Sequence, residues 1–428
     1  MPRLPRPRPK TGPLKRTASP LTTNRPMLLS KRPRGQIAPV ALFGVLISSA
    51  VLTVMFNTGQ KITERSQVAN AADAAAYSGA VWTARHLNFI AYTNRAMIAN
   101  HVAVGHFVSY VSWVRYINDS IAAIDRVTQW IPYVGQYVEL VEQISAQVRD
   151  ATEQAAEISI PAIDAWNTNI RAAQAEAQAS LAFRNVQSLM DQTGRTYDPH
   201  IRINDGDALS LLPEELQALL EAQLMTQAAA VPTFIQRYTA SRDSNSMQLL
   251  VNASLRGNSD LQRWIAGERG WRENLLAVQL RKRGATSMSQ TDRVADWRAE
   301  DQLQFRTRSL FGWHRWQRIG DRVSSATARE FASNYSGVPA YYNVSGSPRD
   351  ASLRIAAIAT KSQANVATAD LLGMTSTAHP LAVAAIARVE FRRPRGSAFL
   401  SLGERRHEYA NLFNPFWEAK LAPITWSF

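Results

Sequence analysis

An α+β protein, predominantly helical and carrying one membrane-spanning helix, is the fold class that three features of this 428-residue sequence predict. The first is an uncharged apolar run close to the N terminus. The second is apolar spacing of three and four residues, kept from that run to about residue 190, which is the period of a helix. The third is a change after Ser333 to short alternating segments rich in β-branched and aromatic residues, parted by glycine and proline. Helices first and a sheet later give a transmembrane helix continuing into a helical stalk, then an exported domain with a C-terminal antiparallel sheet.

Residues 1–35 hold ten of the 48 basic residues and no acid, which leaves a net charge of only +4 on the rest of a chain whose total is +14. The same stretch is rich in proline, from Pro2 to Pro33. It is expected to be an extended, disordered tail. Excess basic charge invites a nucleic-acid reading, but Trp, Tyr and Phe are absent from the tail and no recognition motif accompanies it. Nucleic acid is therefore not an expected partner.

Ile37 to Phe56 reads IAPVALFGVLISSAVLTVMF, with Ser48, Ser49 and Thr53 as its only polar residues. At about 1.5 Å per residue, twenty residues cross a hydrocarbon core of roughly 30 Å. Serine and threonine can return their hydroxyls to the helix's own carbonyls, and Pro39 fits a first turn. A cleavable signal has a shorter apolar run, and a buried core helix rarely lacks every charge over this length. The span is thus placed at 36–57. The basic flank before it, against a balanced Lys61, Glu64 and Arg65 after it, leaves the tail in the cytoplasm and the body outside.

Residues 58–333 are expected to be mainly helical and 334–428 to contain the strands. Small residues recur through AADAAAYSGA, and Ala72, Ala75 and Gly79 let a helix approach another closely. That approach could be to other helices or within its own domain. Gly44, Ser48 and Ser49 offer the same inside the span. Trp82–Tyr116 is apolar but broken by Arg85, His86, Asn94, Arg95, Asn100, His101, His106 and Arg115, too polar for a second span. It is expected to be a buried or interface helix. Helices are also expected over Ser120–Trp130, Gln136–Ile158, Pro161–Met190 and Leu212–Ala230, with a turn at Pro132–Gly135. Leu261–Arg283 and Val294–Arg308 read as basic helices or loops, where Trp264, Trp271 and Trp297 among arginines suggest cation–π packing. Trp313, Trp316, Trp417 and Trp426 read as core or interface anchors. Strands are expected at Val338–Val344, Ser352–Lys361 and Ala382–Arg393.

Gly35-Gln36, the apolar run and then QVANAADAAAYSGA (Gln67–Ala80) resemble the N-terminal region of TadE/TadG-like proteins of the Tad, or Flp, pilus. Ala410–Leu421 (ANLFNPFWEAKL) is similar to the ends of Tad-associated proteins. The resemblance implies a non-enzymatic structural or assembly component of the bacterial inner membrane, with a periplasmic body. Its implied partners are other Tad membrane or pilin-like subunits and inner-membrane lipid. It also marks Gly35-Gln36 as a possible processing site. Prepilins of this kind carry a glutamate five residues after the cleaved glycine, where this chain has Val40, so the tail is expected to be retained.

Signals for chemistry are sparse. The DxSxS run of a von Willebrand metal site is not matched by Asp243-Ser244-Asn245-Ser246, and His101 and His106 lack the i, i+4 spacing that pairs imidazoles on one helix face. Asp205-Gly206-Asp207 reads as a turn, and His86 and His314 as ordinary packed or surface residues. No phosphate loop, nucleophile elbow or dinucleotide motif occurs. No catalytic residue, metal or cofactor is expected. The competing class is a single-span periplasmic enzyme or ligand-binding protein unrelated to pili.

Overall fold

The computed structural model describes residues 37–128, 135–210, 269–275, 277–290, 295–310, 312–335, 352–366, 380–392 and 410–423, with isolated positions between them. The first helix, α1, is Ile37–Thr128. The chain divides into two compact units between Phe56 and Asn57. In the first, the helix Ile37–Phe56 is exposed along its whole length and on every side: Ile37, Val40, Leu42, Phe43, Val45, Leu46 and Ile47 are all open. It is the one described helix long and apolar enough to cross a membrane.

In the second unit, α1 is a central element. Val68, Ala71, Ala72, Ala75, Ala76 and Ala80 have no exposed surface. The small-residue stretch expected to form a stalk is therefore core from Val68 onward, because only small side chains leave room for what lies against it. α2 (Gly135–Ser180) runs antiparallel to α1, with Asn118 opposite Ser145 and Asn100 opposite Asn167. Pro161 lies inside α2 and does not end it, and the break comes at Leu181–Ala182, before α3 (Phe183–Tyr197). The division expected at Pro161 is corrected accordingly. A proline inside a helix removes one hydrogen bond and crowds the carbonyl four residues back, at a cost of about 3 kcal/mol, which kinks a helix without having to end it.

Two antiparallel sheets complete the unit. β1 (Arg202–Ile203), β7 (Ser352–Lys361), β8 (Leu381–Phe391) and β9 (Trp417–Ala422) form one in the order β1-β7-β8-β9. β7 and β8 fall where alternation placed strands. The other sheet holds β2 (Trp271–Leu275), β3 (Val278–Gln290), β4 (Ala295–Ser309), β5 (Gly312–Trp313) and β6 (Gln317–Thr327), with β4 pairing β3, β5 and β6. This sheet corrects the helix-or-loop reading of Leu261–Arg283 and Val294–Arg308. The strands of this sheet begin at Trp271, well before residue 334, and their inward positions include Lys282, Thr286 and Asp301, where an apolar alternation would have announced them. Two short helices, α4 (Gly206–Leu209) and α5 (Ala328–Phe331), also lie among the described residues. Asp205 caps α4, its carboxylate accepting from the amide of Asp207, in keeping with a turn at that motif. Most of the expected turn at Pro132–Gly135, most of the helix at Leu212–Ala230 and nearly all of the strand at Val338–Val344 lie outside the described residues, as do Gly35, Gln36, Trp264 and Trp426.

Candidate functional site

Of the helix-packing candidates, Gly44, Ser48 and Ser49 are exposed. Ser49 donates its hydroxyl to the carbonyl of Leu46 at 2.9 Å, and Thr53 donates to that of Ser49 at 2.8 Å, so these polar groups are satisfied within the helix itself. A Cβ at Gly44 would meet nothing within 4 Å. Nothing among the described residues needs that glycine to lack a side chain.

Ala72, Ala75 and Gly79 behave in the opposite way. A Cβ on Gly79 would come within 2.8 Å of Met190 Sδ on α3 and 3.3 Å of Ile355 Cγ2 on β7. Their smallness serves close packing inside the body. The two groups of small residues, similar in composition, thus face different surroundings.

Most of the polar residues that interrupt Trp82–Tyr116 have a definite partner, which sequence could not name. Asn94 donates to the carbonyl of Leu412 at 2.7 Å, and Arg95 to that of Phe413 and to Asn414 Oδ1. Asn88 donates to the carbonyl of Trp417 and accepts from its amide, at 2.8 and 3.0 Å. These three side chains hold the Ala410–Trp417 segment against α1. Arg115 ties α2 and α5 together through Glu153 and Glu330, at 2.7 and 2.6 Å. His101 is buried, its Nδ1 on the Tyr335 hydroxyl and its carbonyl accepting from Trp297 Nε1 at 2.7 Å. His86 packs at a tilt against Trp82 with centroids 4.5 Å apart, in a groove of about 520 Å³ shared with Phe89 and Glu176. No group of three His, Cys, Asp or Glu side chains among the described residues could hold a metal.

Two ion networks fasten the sheets to the helices. Asp301 on β4, with no exposed surface, accepts from Lys282 Nζ at 2.7 Å, Arg269 Nη2 at 3.0 Å and Ser112 Oγ on α1 at 2.7 Å. Arg269 also donates to Thr286, itself bonded to Ser109 on α1. Burial pulls the Lys282 ammonium below the ordinary lysine value, and Asp301 offsets that only in part. The second network joins Lys361 on β7 to Glu64 on α1 and Asp198 after α3, the latter at 2.6 Å. Burial opposes both the Lys361 and Asp198 charges. Their mutual hydrogen bond, with Glu64 and the His200 amide helping, outweighs it and holds Lys361 above 10.5 and Asp198 below 3.8.

A depressed carboxylate stabilises the fold above its unfolded pKa, and that stability is lost as pH falls through the folded value. A raised lysine stabilises below 10.5, and its share is lost as pH rises through the higher folded value. Lys361→Met is therefore expected to cost about 2–3 kcal/mol near neutrality, since Glu64 and Asp198 lose the shared cation. The acid limb of the stability profile should also become shallower, the variant converging on the wild type at low pH, as denaturation at a series of pH values would show.

The expected cation–π packing sits on other tryptophans. Trp297 is core, whereas Arg281 and Arg306 lie 4.2 and 4.7 Å from the Trp316 centroid, and Arg306 lies 5.0 Å from that of Trp313. Trp417 is a core anchor, edge-on to Phe391 and Phe234. The signal for the Trp316 stack was the arginine spacing on strands that had not been read as strands.

Residues 35–82 match the family model described as putative Flp pilus-assembly TadE/G-like. No curated protein and no solved structure was found to match the chain. The matched stretch takes in Gly44, Ser48 and Ser49 on the open apolar helix and Ala72, Ala75 and Gly79 in the core, so that over these residues the chain is TadE/G-like, a likeness that points to pilus assembly.

Proposed function

We propose that the protein is a membrane-anchored, non-enzymatic structural or assembly component of a Tad/Flp-type pilus. Its basic tail stays in the cytoplasm, Ile37–Phe56 spans the inner membrane, and the body lies in the periplasm. The observation that carries this reading is the coincidence of the TadE/G-like match with a helix whose large apolar side chains are all uncovered. Such a helix is stable in lipid and costly in water, by about 25 cal/mol for each Å² of apolar surface left exposed. Confinement to a membrane raises its effective concentration towards other single-span subunits, and Gly44 offers them a close approach.

Two measurements on the full chain in cells test the reading together. A periplasm-active reporter fused after Phe428 should give signal, and Gly44→Leu should lower the recovery of a cross-linked complex with other pilus subunits several-fold. A silent reporter overturns the orientation, and unchanged recovery overturns the role of the helix in assembly.

A further inference from the structure

We infer that the outer face of α2 is a coiled-coil seam for a second copy of this chain. Val141, Ile144, Val148, Ala151, Ala155 and Ile158 succeed one another at spacings of three and four, and Tyr137 extends the alternation by a further four. All are exposed, Ile144 by 52% and Ile158 by 65%. The inner face of the same helix is a different set, Ser145, Ala156, Ile160 and Asn167, buried towards α1. A globular helix needs one apolar stripe to join its core, and α2 has two.

The period of the outer stripe identifies its occupant. A repeat of 3.5 residues sustained over about three heptads drifts around a straight helix by about 20° per heptad, so a straight surface cannot follow it and a supercoiled helix can. Within the unit Asn57–Phe428, no other described helix exposes such a repeat, and the stripe itself is one. The flanking positions settle self-pairing on charge. Leu140, Gln147 and Gln154 line one edge and Val138 and Thr152 the other, all neutral, while Ser145 between them is turned to α1. Coiled coils that select a different chain place opposite charges at these edges, and coiled coils that avoid their own kind place like charges there. Here two identical helices meet with nothing to repel them. The apolar area on offer is on the order of 700 Å², close to the roughly 800 Å² that one partner buries in a standard interface.

The experiment uses the purified full chain in detergent, with no other subunit present, so its outcome is independent of the pilus reading. Sedimentation should show a dimer at micromolar concentration. Ile144→Glu with Val148→Glu should weaken it by roughly 100-fold or more, since four unpaired carboxylates would enter one seam. Gln143→Glu, beside the seam, and Gly44→Leu, in the apolar helix, should leave it intact. A photo-cross-linking residue at Ile144 should yield a dimer joined through α2. A monomeric wild type, a dimer lost with Gly44→Leu and kept in the seam variant, or a cross-link to residues 212–230 of the same chain would each overturn the inference.

Discussion

Replacing Asp301 with alanine should cost about 3–5 kcal/mol, enough to unfold much of the population at ambient temperature, because it leaves buried cations without their carboxylate. Lys282 and Arg269 have side chains only 3% and 1% exposed, and Asp301 faces both. Their ammonium and guanidinium would be left in a medium that disfavours charge, and Ser112 on α1 would lose its acceptor. The cost belongs to the broken network, so a second substitution that removes one stranded cation should return part of it. Asp301→Ala combined with Lys282→Met is expected to be less destabilised than the separate effects summed, by about 1–2 kcal/mol. Denaturant unfolding of the four variants measures this; simple additivity would mean that the ions do not act together. Glycine at 284 belongs to the same design, since a Cβ there would lie 2.0 Å from Asp301 Oδ1.

The second large effect is Gly79→Leu, expected to destabilise the body by about 3 kcal/mol through overpacking. Its first carbon already crowds Met190 and Ile355, and three more have no space to enter. Gly44→Leu, an identical change in the same helix, should leave the unfolding midpoint of the body where it was, because a Cβ there meets nothing within 4 Å among the described residues. Equal midpoints for the two variants would mean that Gly79 does not stand where the packing puts it.

Much of the fold was legible where burial follows period. The apolar run, the 3.6-residue stripe through Val68 and Ala75, and the alternation of β7 and β8 each declare one element. The five-stranded sheet was not legible, and its chemistry explains why. Its inward residues on β3 and β4 include Lys282, Gly284, Thr286 and Asp301, whose burial depends on partners hundreds of atoms away in the chain, and the outward residues include Arg283, Ser287, Arg298 and Glu300. With both faces polar, period 2 has no contrast to show. β4 did carry a usable signal in Ala295, Trp297 and Ala299, diluted by the smallness of alanine. At the site, the small residues could be found from sequence alone. Which of them look outward and which inward could not, since Gly44 and Gly79 differ only in what the rest of the chain brings to them.

The bonds from Asn88, Asn94 and Arg95 to residues 412–417 span more than 300 positions. Contacts of such separation close late and slow the search for the native state. A ribosome releases the first helix long before the segment that satisfies its side chains, so those donors wait without acceptors until that segment has been made. Chains stopped short of Leu412 would lack the acceptors altogether, and quality-control proteases would meet an apolar helix with open flanks.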